Sequence, residues 1–297
     1  MLSLMKIPTT VSVFTYVPAA LLRATGPDAP TFLQGQFTND LRGVKKGDAL
    51  YGLWLDRKGR VLADSYVAPL SGSEFLIASL STPAPVIAGH LGEHIIADDV
   101  AIADETASWR GASLVGPGAG EWLASEPRAG IFFPGRRDSG ENWEWIHGEA
   151  DSGSVRDALA GARALDAADI ERMRIVSGIA SVPADIGPAD LPNEGGLDAS
   201  AISYSKGCYT GQEVMARVKA LGRVRRALVR VRGSSAPPSL PASLWNGDRR
   251  EGELRSAAPD AGGFAGLALV SVAASAAGHP LSLAPGAAPT VEIARGS

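Results

Sequence analysis

Between Ala49 and Val67 the sequence reads ALYGLWL, DRKG, RVLADSYV. The two flanking runs alternate apolar and polar residues with the period of two that a half-buried strand requires, and the four residues between them carry an aspartate to open a turn (Asp56) and a glycine to close it (Gly59). This predicts a β-hairpin, and therefore an antiparallel sheet. EFLIAS supplies a third strand. TPAPVIAGHLGEHII follows, with Val86, Ile87, Leu91 and Ile95 spaced to share a helical face, and then strands near Val100–Ala103 and Ser108–Val115. Strands around one helix suggest a split βαβ, ferredoxin-like module. The turn-rich loop Pro134–Asn142 and the strand WEWIH end that module.

SVRDALAGARAL and AADIERMRIVSG read as two helices, the second with Ile170, Met173 and Ile175 toward a core and Gly178 as its stop. VPADIGPADLPNEGGLDAS is too rich in Pro, Gly and Asp to be an element, and a loop of that length inside a compact domain is often functional. Past Gly222 come the short strands RVRRALVRV, GELRSA, GLALVSVAA, PLSL and TVEIA, the pattern of a small antiparallel barrel, with SSAPPSLPAS as a connection. A chain of 297 residues calls for two or three cores. Neither the first 48 residues nor the stretch 150–220 carries enough elements to close one alone. The expected division is a discontinuous α+β domain (1–48 plus 149–221), an inserted ferredoxin-like unit (49–148) and a small β-barrel (222–297).

A formal charge of -4 excludes an overall basic field, which argues against direct nucleic-acid binding. Seven basic residues and no acidic one lie between Arg217 and Arg232 (Arg217, Lys219, Arg223, Arg225, Arg226, Arg230, Arg232), and such a run is more often a solvated face than an anion track. No apolar run approaches the ~20 residues of a membrane span, and MLSLMKIPTT lacks the pattern of a signal peptide, so a cytoplasmic protein with no membrane partner is expected. One cysteine and four scattered histidines give neither a disulfide nor the spacing of a private metal site. Metal chemistry would need ligands from elsewhere.

The one cysteine, Cys208, stands in SYSKGCYTGQEVMARV. Thr210 and Glu213 have the spacing of a capping box, which predicts a helix from Gly211 with Glu213 and Arg217 paired, Lys219 near its negative end and Gly222 as its stop. Cys208 then lies two residues before the cap, where helix amides and the charge of Lys206 favour the thiolate, while Gly207 and Gly211 leave room around the sulfur. A lone cysteine is commonly a small buried hydrophobe. Here the surroundings favour a reactive thiol, so Cys208 and Lys206 are the catalytic candidates.

KGCYTGQE closely resembles the signature octapeptide of the YgfZ family, folate-binding proteins that assist iron-sulfur cluster maturation. FLQGQFTNDL, LDRKGRVLAD and RMRIVSGIASVPADI occur in the order and spacing of that family, and GELRSA...GLALV resembles its terminal barrel. The family is similar in fold to the aminomethyltransferase of glycine cleavage. The resemblance implies a three-domain aminomethyltransferase-like α+β fold around a folate channel, with tetrahydrofolate as cofactor and iron-sulfur client proteins, tRNA-modifying enzymes included, as partners. Asp40 matches a carboxylate that the transferase holds near the reactive folate nitrogens, and Gln36 lies in the same segment. Where the transferase pairs a glutamate with the pterin, this chain has Val176, so either another acid such as Glu194 serves or folate binds more weakly or differently. Arg60 could reach a folate carboxylate, and Tyr209 or Tyr204 could stack on a pterin. The alternative is a folate-dependent one-carbon transferase in which Asp40 orients an amine; Val176 counts against it. A third reading makes the cysteine motif a purely structural part of a binding module.

Overall fold

A computed structural model describes residues 6–294, and the first five residues of the stretch read for a signal peptide lie outside the described residues. β1 (Ser12–Tyr16) and β2 (Ala20–Thr25) precede α1 (Ala29–Gln36), whose first turn carries Pro30 where a missing N–H costs nothing. The predicted hairpin forms: β3 (Leu50–Leu55) pairs antiparallel with β4 (Val61–Ser71), Leu50 opposite Val67 and Trp54 opposite Ala63. β5 (Glu74–Ser79) and α2 (Ala84–His94) follow. Ile87 and Leu91 of α2 are buried, but Val86 is exposed. Adjacent helical positions are about 100° apart, so Val86 and Ile87 cannot both point into one core.

The chain continues through β6 (Ala101–Asp104), β7 (Trp109–Val115), α3 (Ala119–Ala124), β8 (Ile131–Pro134) and β9 (Asn142–Gly148). α4 (Ser152–Ala158), the short β10 (Arg163–Ala164) and α5 (Ala167–Val176) come next, α5 opened by a reciprocal capping box of Asp166 and Asp169. The strand pairing differs from the expected grouping. One sheet runs β3-β4-β5-β2-β6 and a second β10-β1-β7-β9-β8. Strands read as one ferredoxin-like module are thus shared between two sheets, and each sheet is completed by a strand from residues 12–25. ALLRAT of β2 bonds β5 on one side and β6 on the other. SVFTY of β1 takes β7 on one side and β10 on the other.

α6 (Asp198–Ala201) and α7 (Gln212–Leu221) lead into β11 (Arg226–Gly233), β12 (Ala242–Asn246), β13 (Arg249–Asp260), β14 (Gly263–Ser271), α8 (Val272–Ala277) and β15 (Val291–Ile293). These strands form an antiparallel sheet β12-β13-β14-β11-β15, and single bridges Trp245–Ser282 and Leu281–Val291 tie its two edges, so it curls. Residues read as the end of a strand, SVAA, turn helical because the Ser271 hydroxyl caps the Ala274 amide at 3.1 Å.

Three apolar layers organise the first two sheets, and the third sheet curls around a core of its own with Val231, Leu254, Phe264 and Val291. α1 and α2 cover one face of the first sheet with Phe32, Leu33, Ile87 and Leu91. α3 and α4 cover the second through Trp122, Leu123 and Val155. The other faces of the two sheets meet through Leu53, Tyr66, Phe133 and Ile146, and into that junction the polar loop after α5 inserts Val182, Ile186, Leu197 and Ile202. The loop is pinned to the third sheet. Arg174 and the Ser256 hydroxyl both bond the buried Asp185, at 2.5 and 2.6 Å. Arg226 bonds Glu194 and Asp190.

Candidate functional site

The segment Ser203–Thr210 is fastened along the end of α1. A helix leaves its last carbonyls without intrahelical partners, and here the missing donors arrive from about 170 residues further on. The Lys206 ammonium donates to the carbonyls of Gln34, Phe37 and Asn39 at 2.7, 2.5 and 3.0 Å. The Thr210 amide bonds the Gly35 carbonyl at 3.1 Å and the Ser203 amide the Thr38 carbonyl at 3.1 Å. Lys206 is buried, and that burial pulls its pKa down to about 8, with the Asp40 charge opposing. Its three N–H groups are therefore committed to the backbone. This corrects the expectation of an ammonium serving the thiol: Lys206 is an anchor for the loop that carries Cys208.

Cys208 is exposed. The helix after it differs from the prediction. α7 starts at Gln212, with Gly211 as a left-handed cap at φ 85° and no side-chain cap. The Thr210 hydroxyl donates to Gln36 Oε1 at 2.9 Å instead of capping, so the Thr210–Glu213 box is absent. The reason is packing: a Cβ on residue 211 would lie 2.8 Å from the Asp56 carbonyl oxygen, so the hairpin turn dictates a glycine and its backbone there. Among the described residues Glu213 and Arg217 form no ion pair.

The other sequence candidates divide. Gln36 and Asp40 flank the anchored loop, but their side chains have partners of their own. Asp40 takes two bonds from the Arg42 guanidinium, 2.9 and 2.7 Å, and one from Gln34 at 2.9 Å, and Arg42 holds its carboxyl well below the usual carboxylate range. Glu194 lies elsewhere, against the third sheet. Arg226 grips both its oxygens at 2.9 and 2.8 Å, so it is not a free acid for a pterin edge. Tyr209 is buried with its hydroxyl unpartnered and the Lys206 ammonium 5.2 Å from its ring centre, which removes it as an open stacking platform. Tyr204 is covered by Lys219 at 3.8 Å. Arg60 is exposed on the hairpin tip.

Two features escaped the sequence reading. Val176 lines a cavity of about 570 Å³ with Asp138, Ser177, Leu228, Arg230 and Leu267. Asp138 accepts the Ser177 hydroxyl at 2.6 Å, and Arg230 reaches the Val176 carbonyl at 3.1 Å. A second hollow of about 620 Å³ adjoins through Val176 and Arg230 and adds Arg232. An acid, an apolar floor and two guanidinium groups thus line one groove. The other feature is Asp64, on β4 at the junction of the first two sheets. It accepts Tyr51 at 3.0 Å, Thr82 at 3.2 Å and Ser79 at 3.3 Å. Burial raises its pKa, against the Tyr51 bond and the Arg136 charge, so this carboxyl can hold a proton that exposed acids release. The buried Tyr66 hydroxyl is unpartnered, and its ring stands 5.2 Å from that of Tyr51. The available signal was an aspartate amid an apolar strand, where that residue is depleted.

The arrangement of sheets and helices is that of aminomethyltransferases: a solved structure of glycine cleavage system aminomethyltransferase T from Bartonella henselae superposes with a TM-score of 0.76 over 96% of this chain and 85% of that one, at 17% identity. Residues 4–128 match the GCVT N-terminal domain family. A mitochondrial iron-sulfur cluster assembly factor IBA57 homolog from Mycosarcoma maydis is 26% identical over 249 residues, 77% of this chain and 59% of that protein. The tRNA-modifying protein YgfZ from Vibrio vulnificus is 28% identical over 249 residues, 81% of this chain and 76% of that protein. The chain is thus similar in sequence to YgfZ- and IBA57-type proteins and in fold to the glycine-cleavage aminomethyltransferase. It spans 59% of the length of the first of these relatives.

Proposed function

We propose that this protein binds tetrahydrofolate and assists the assembly or repair of iron-sulfur clusters in client enzymes, tRNA-modifying ones among them, through Cys208. The observation that carries the reading is an exposed thiol on a loop whose neighbours on both sides, Lys206 and Tyr209, are buried. A fixed, open sulfur can ligate a transferred iron while a client supplies the remaining ligands, which suits a single cysteine. The names of the two relatives support the same role.

The groove beside Val176 fits a folate. Asp138 stands next to Val176 and offers the carboxylate that the pterin donor edge seeks, a place the sequence reading gave to Glu194. Leu228 and Leu267 form an apolar floor, and Arg230 with Arg232 suits a glutamate tail. Bound tetrahydrofolate would supply a one-carbon acceptor and a reduced pterin. The chain's own contribution is orientation and charge.

Complementation decides between the readings. In cells lacking the protein, wild type restores cluster-enzyme activity and Cys208→Ser, expressed at the same level and Tm, does not. Equal restoration by both sinks the thiol reading. Calorimetry with tetrahydrofolate should show binding that Asp138→Asn weakens by about 10-fold, the loss of a charged hydrogen-bond partner; no heat at millimolar folate removes the folate. A one-carbon transfer reading draws on Asp64 rather than Asp40, because Asp64 is the acid whose surroundings favour the protonated form. It requires that Asp64→Asn, and not Cys208→Ser, abolish function.

A further inference from the structure

The chain is acidic overall, yet one face beside the Cys208 loop is not. The hairpin turn lies on the first turns of α7: a Cβ on Gly59 would meet the Met215 methyl at 2.8 Å and the Val214 Cβ at 3.0 Å. That contact lays the turn that carries Arg57, Lys58 and Arg60 on the helix that carries Arg217, with Arg223 and Arg225 following the helix in sequence, and all six are exposed. Among the described residues none of these six has an ion-pair partner. The acids within the same segments are two: Asp56, whose Oδ1 is occupied by the amides of Lys58 and Arg60 at 2.8 Å each, and the exposed Glu213. The helix also carries an apolar stripe, Val214, Val218 and Leu221, at helical spacing. The hairpin covers the start of this stripe, while Leu221 at its far end is 64% exposed and has Arg217 one turn before it.

We propose that this face, the hairpin turn together with α7, docks an acidic protein surface that presents an apolar side chain to Leu221. Free cations around an exposed leucine match a protein partner better than RNA. Single-stranded nucleic acid is held by aromatic rings on which bases stack, and here Tyr204 is capped by Lys219 and Tyr209 is buried. Unpaired cations steer an acidic partner from a distance, and the leucine supplies the contact that distinguishes one acidic surface from another. The purpose of the docking, delivering a client to Cys208, rests on the function proposed above. The binding itself does not.

The test uses the full chain and three fluorescent probes: a 20-residue amphipathic helix of glutamate and leucine, a glutamate–glycine peptide of equal charge, and a 20-nucleotide single-stranded RNA, read by anisotropy at about 0.15 M salt. The glutamate–leucine peptide should bind tightest. Arg217→Glu with Arg223→Glu, and separately Arg57→Glu with Lys58→Glu, should weaken it at least about tenfold, and Leu221→Ser should bring it to the level of the leucine-free peptide. Circular dichroism checks the fold, and glutamine replaces glutamate in any variant that does not fold. Cys208→Ser should bind as wild type. RNA binding as tightly as the peptide, no saturable peptide binding, or charge variants that bind like wild type would each overturn the proposal. In complementation, Cys208→Ser failing with docking intact is the expected pattern. Rescue by charge variants that no longer dock separates this surface from the thiol, whose reading then stands alone.

Discussion

Replacing Lys206 with methionine tests whether that residue is an anchor or a partner of the thiol. Methionine keeps the unbranched stem and deletes the ammonium. Three carbonyls, those of Gln34, Phe37 and Asn39, then lose a donor at 2.7, 2.5 and 3.0 Å in a place where Lys206 is 4% exposed. An acceptor left unpaired in such a site costs roughly 1 kcal/mol, so the three together come to about 3 kcal/mol. Relief of the buried charge, whose cost shows in the pKa drawn down from 10.5 to about 8, offsets most of this and leaves a net loss of about 1 kcal/mol. Urea unfolding should show that loss with an unchanged slope. Native-state alkylation of Cys208 by iodoacetamide should accelerate as the loop frees itself, with the same dependence on pH as in wild type. A stability change below about 0.5 kcal/mol, together with an alkylation profile displaced along the pH axis, would refute the anchor and restore Lys206 to the thiol.

His90 is buried between Trp54 and His94, and burial, with the His94 charge adding and Asp56 opposing, lowers its pKa from 6.5 to about 4. Between those values the unfolded chain binds a proton that the native chain refuses, so stability is complete above about pH 6.5 and falls as the pH drops toward 4, by at most about 3 kcal/mol and less where solvent reaches the ring. His90→Phe should flatten that slope, and parallel curves for the two proteins would show that His90 is not its source. Gly59→Ala should cost about 1–3 kcal/mol, because residue 59 has φ +73° and the new methyl meets the Met215 methyl at 2.8 Å; an unchanged Tm would mean the hairpin turn does not rest on α7. Arg226→Met strands the buried Glu194 and removes one of two arginines from Asp190, an expected loss of about 2–3 kcal/mol, and hydrogen exchange should quicken in the loop 183–198. No change in exchange would mean the loop is held by its apolar residues alone.

What the sequence shows and what it hides follow from where the information sits. The hairpin, α5 and most strands of the third sheet are local patterns and form over the residues that carry them, with ends shifted by up to four residues, while β12 begins inside the stretch read as a connection. The partners of β1 and β2 are not local. SVFTY and ALLRAT are too short to announce themselves, yet they decide that two sheets form where one module was read. The capping box at Thr210 and Glu213 is correct as a pattern, but tertiary packing of the hairpin against Gly211 overrides it. Cys208 is conspicuous in one dimension as the chain's one thiol, and the structure leaves it exposed. Glu194 and Asp40 look free in the sequence because nothing in it places Arg226 against the loop or turns the Arg42 side chain back on its neighbour.

The bonds from Lys206 to α1 also order the birth of the protein. Residues 34 and 206 are separated by 172 positions, and a ribosome adding roughly 5–20 residues per second takes about 10–30 s to cross them. Throughout that interval the carbonyls at the end of α1 face water, and the first sheet can form around the hairpin without the strap that later closes it. Contacts of such span are the last that loop-closure entropy allows. The thiol therefore reaches its fixed position only when the first sheet is already in place, so a chain truncated or misfolded early never displays Cys208 in its native position. Nascent chains halted before residue 206 should be cut by protease just after α1, and chains halted once residue 210 has left the ribosome should resist.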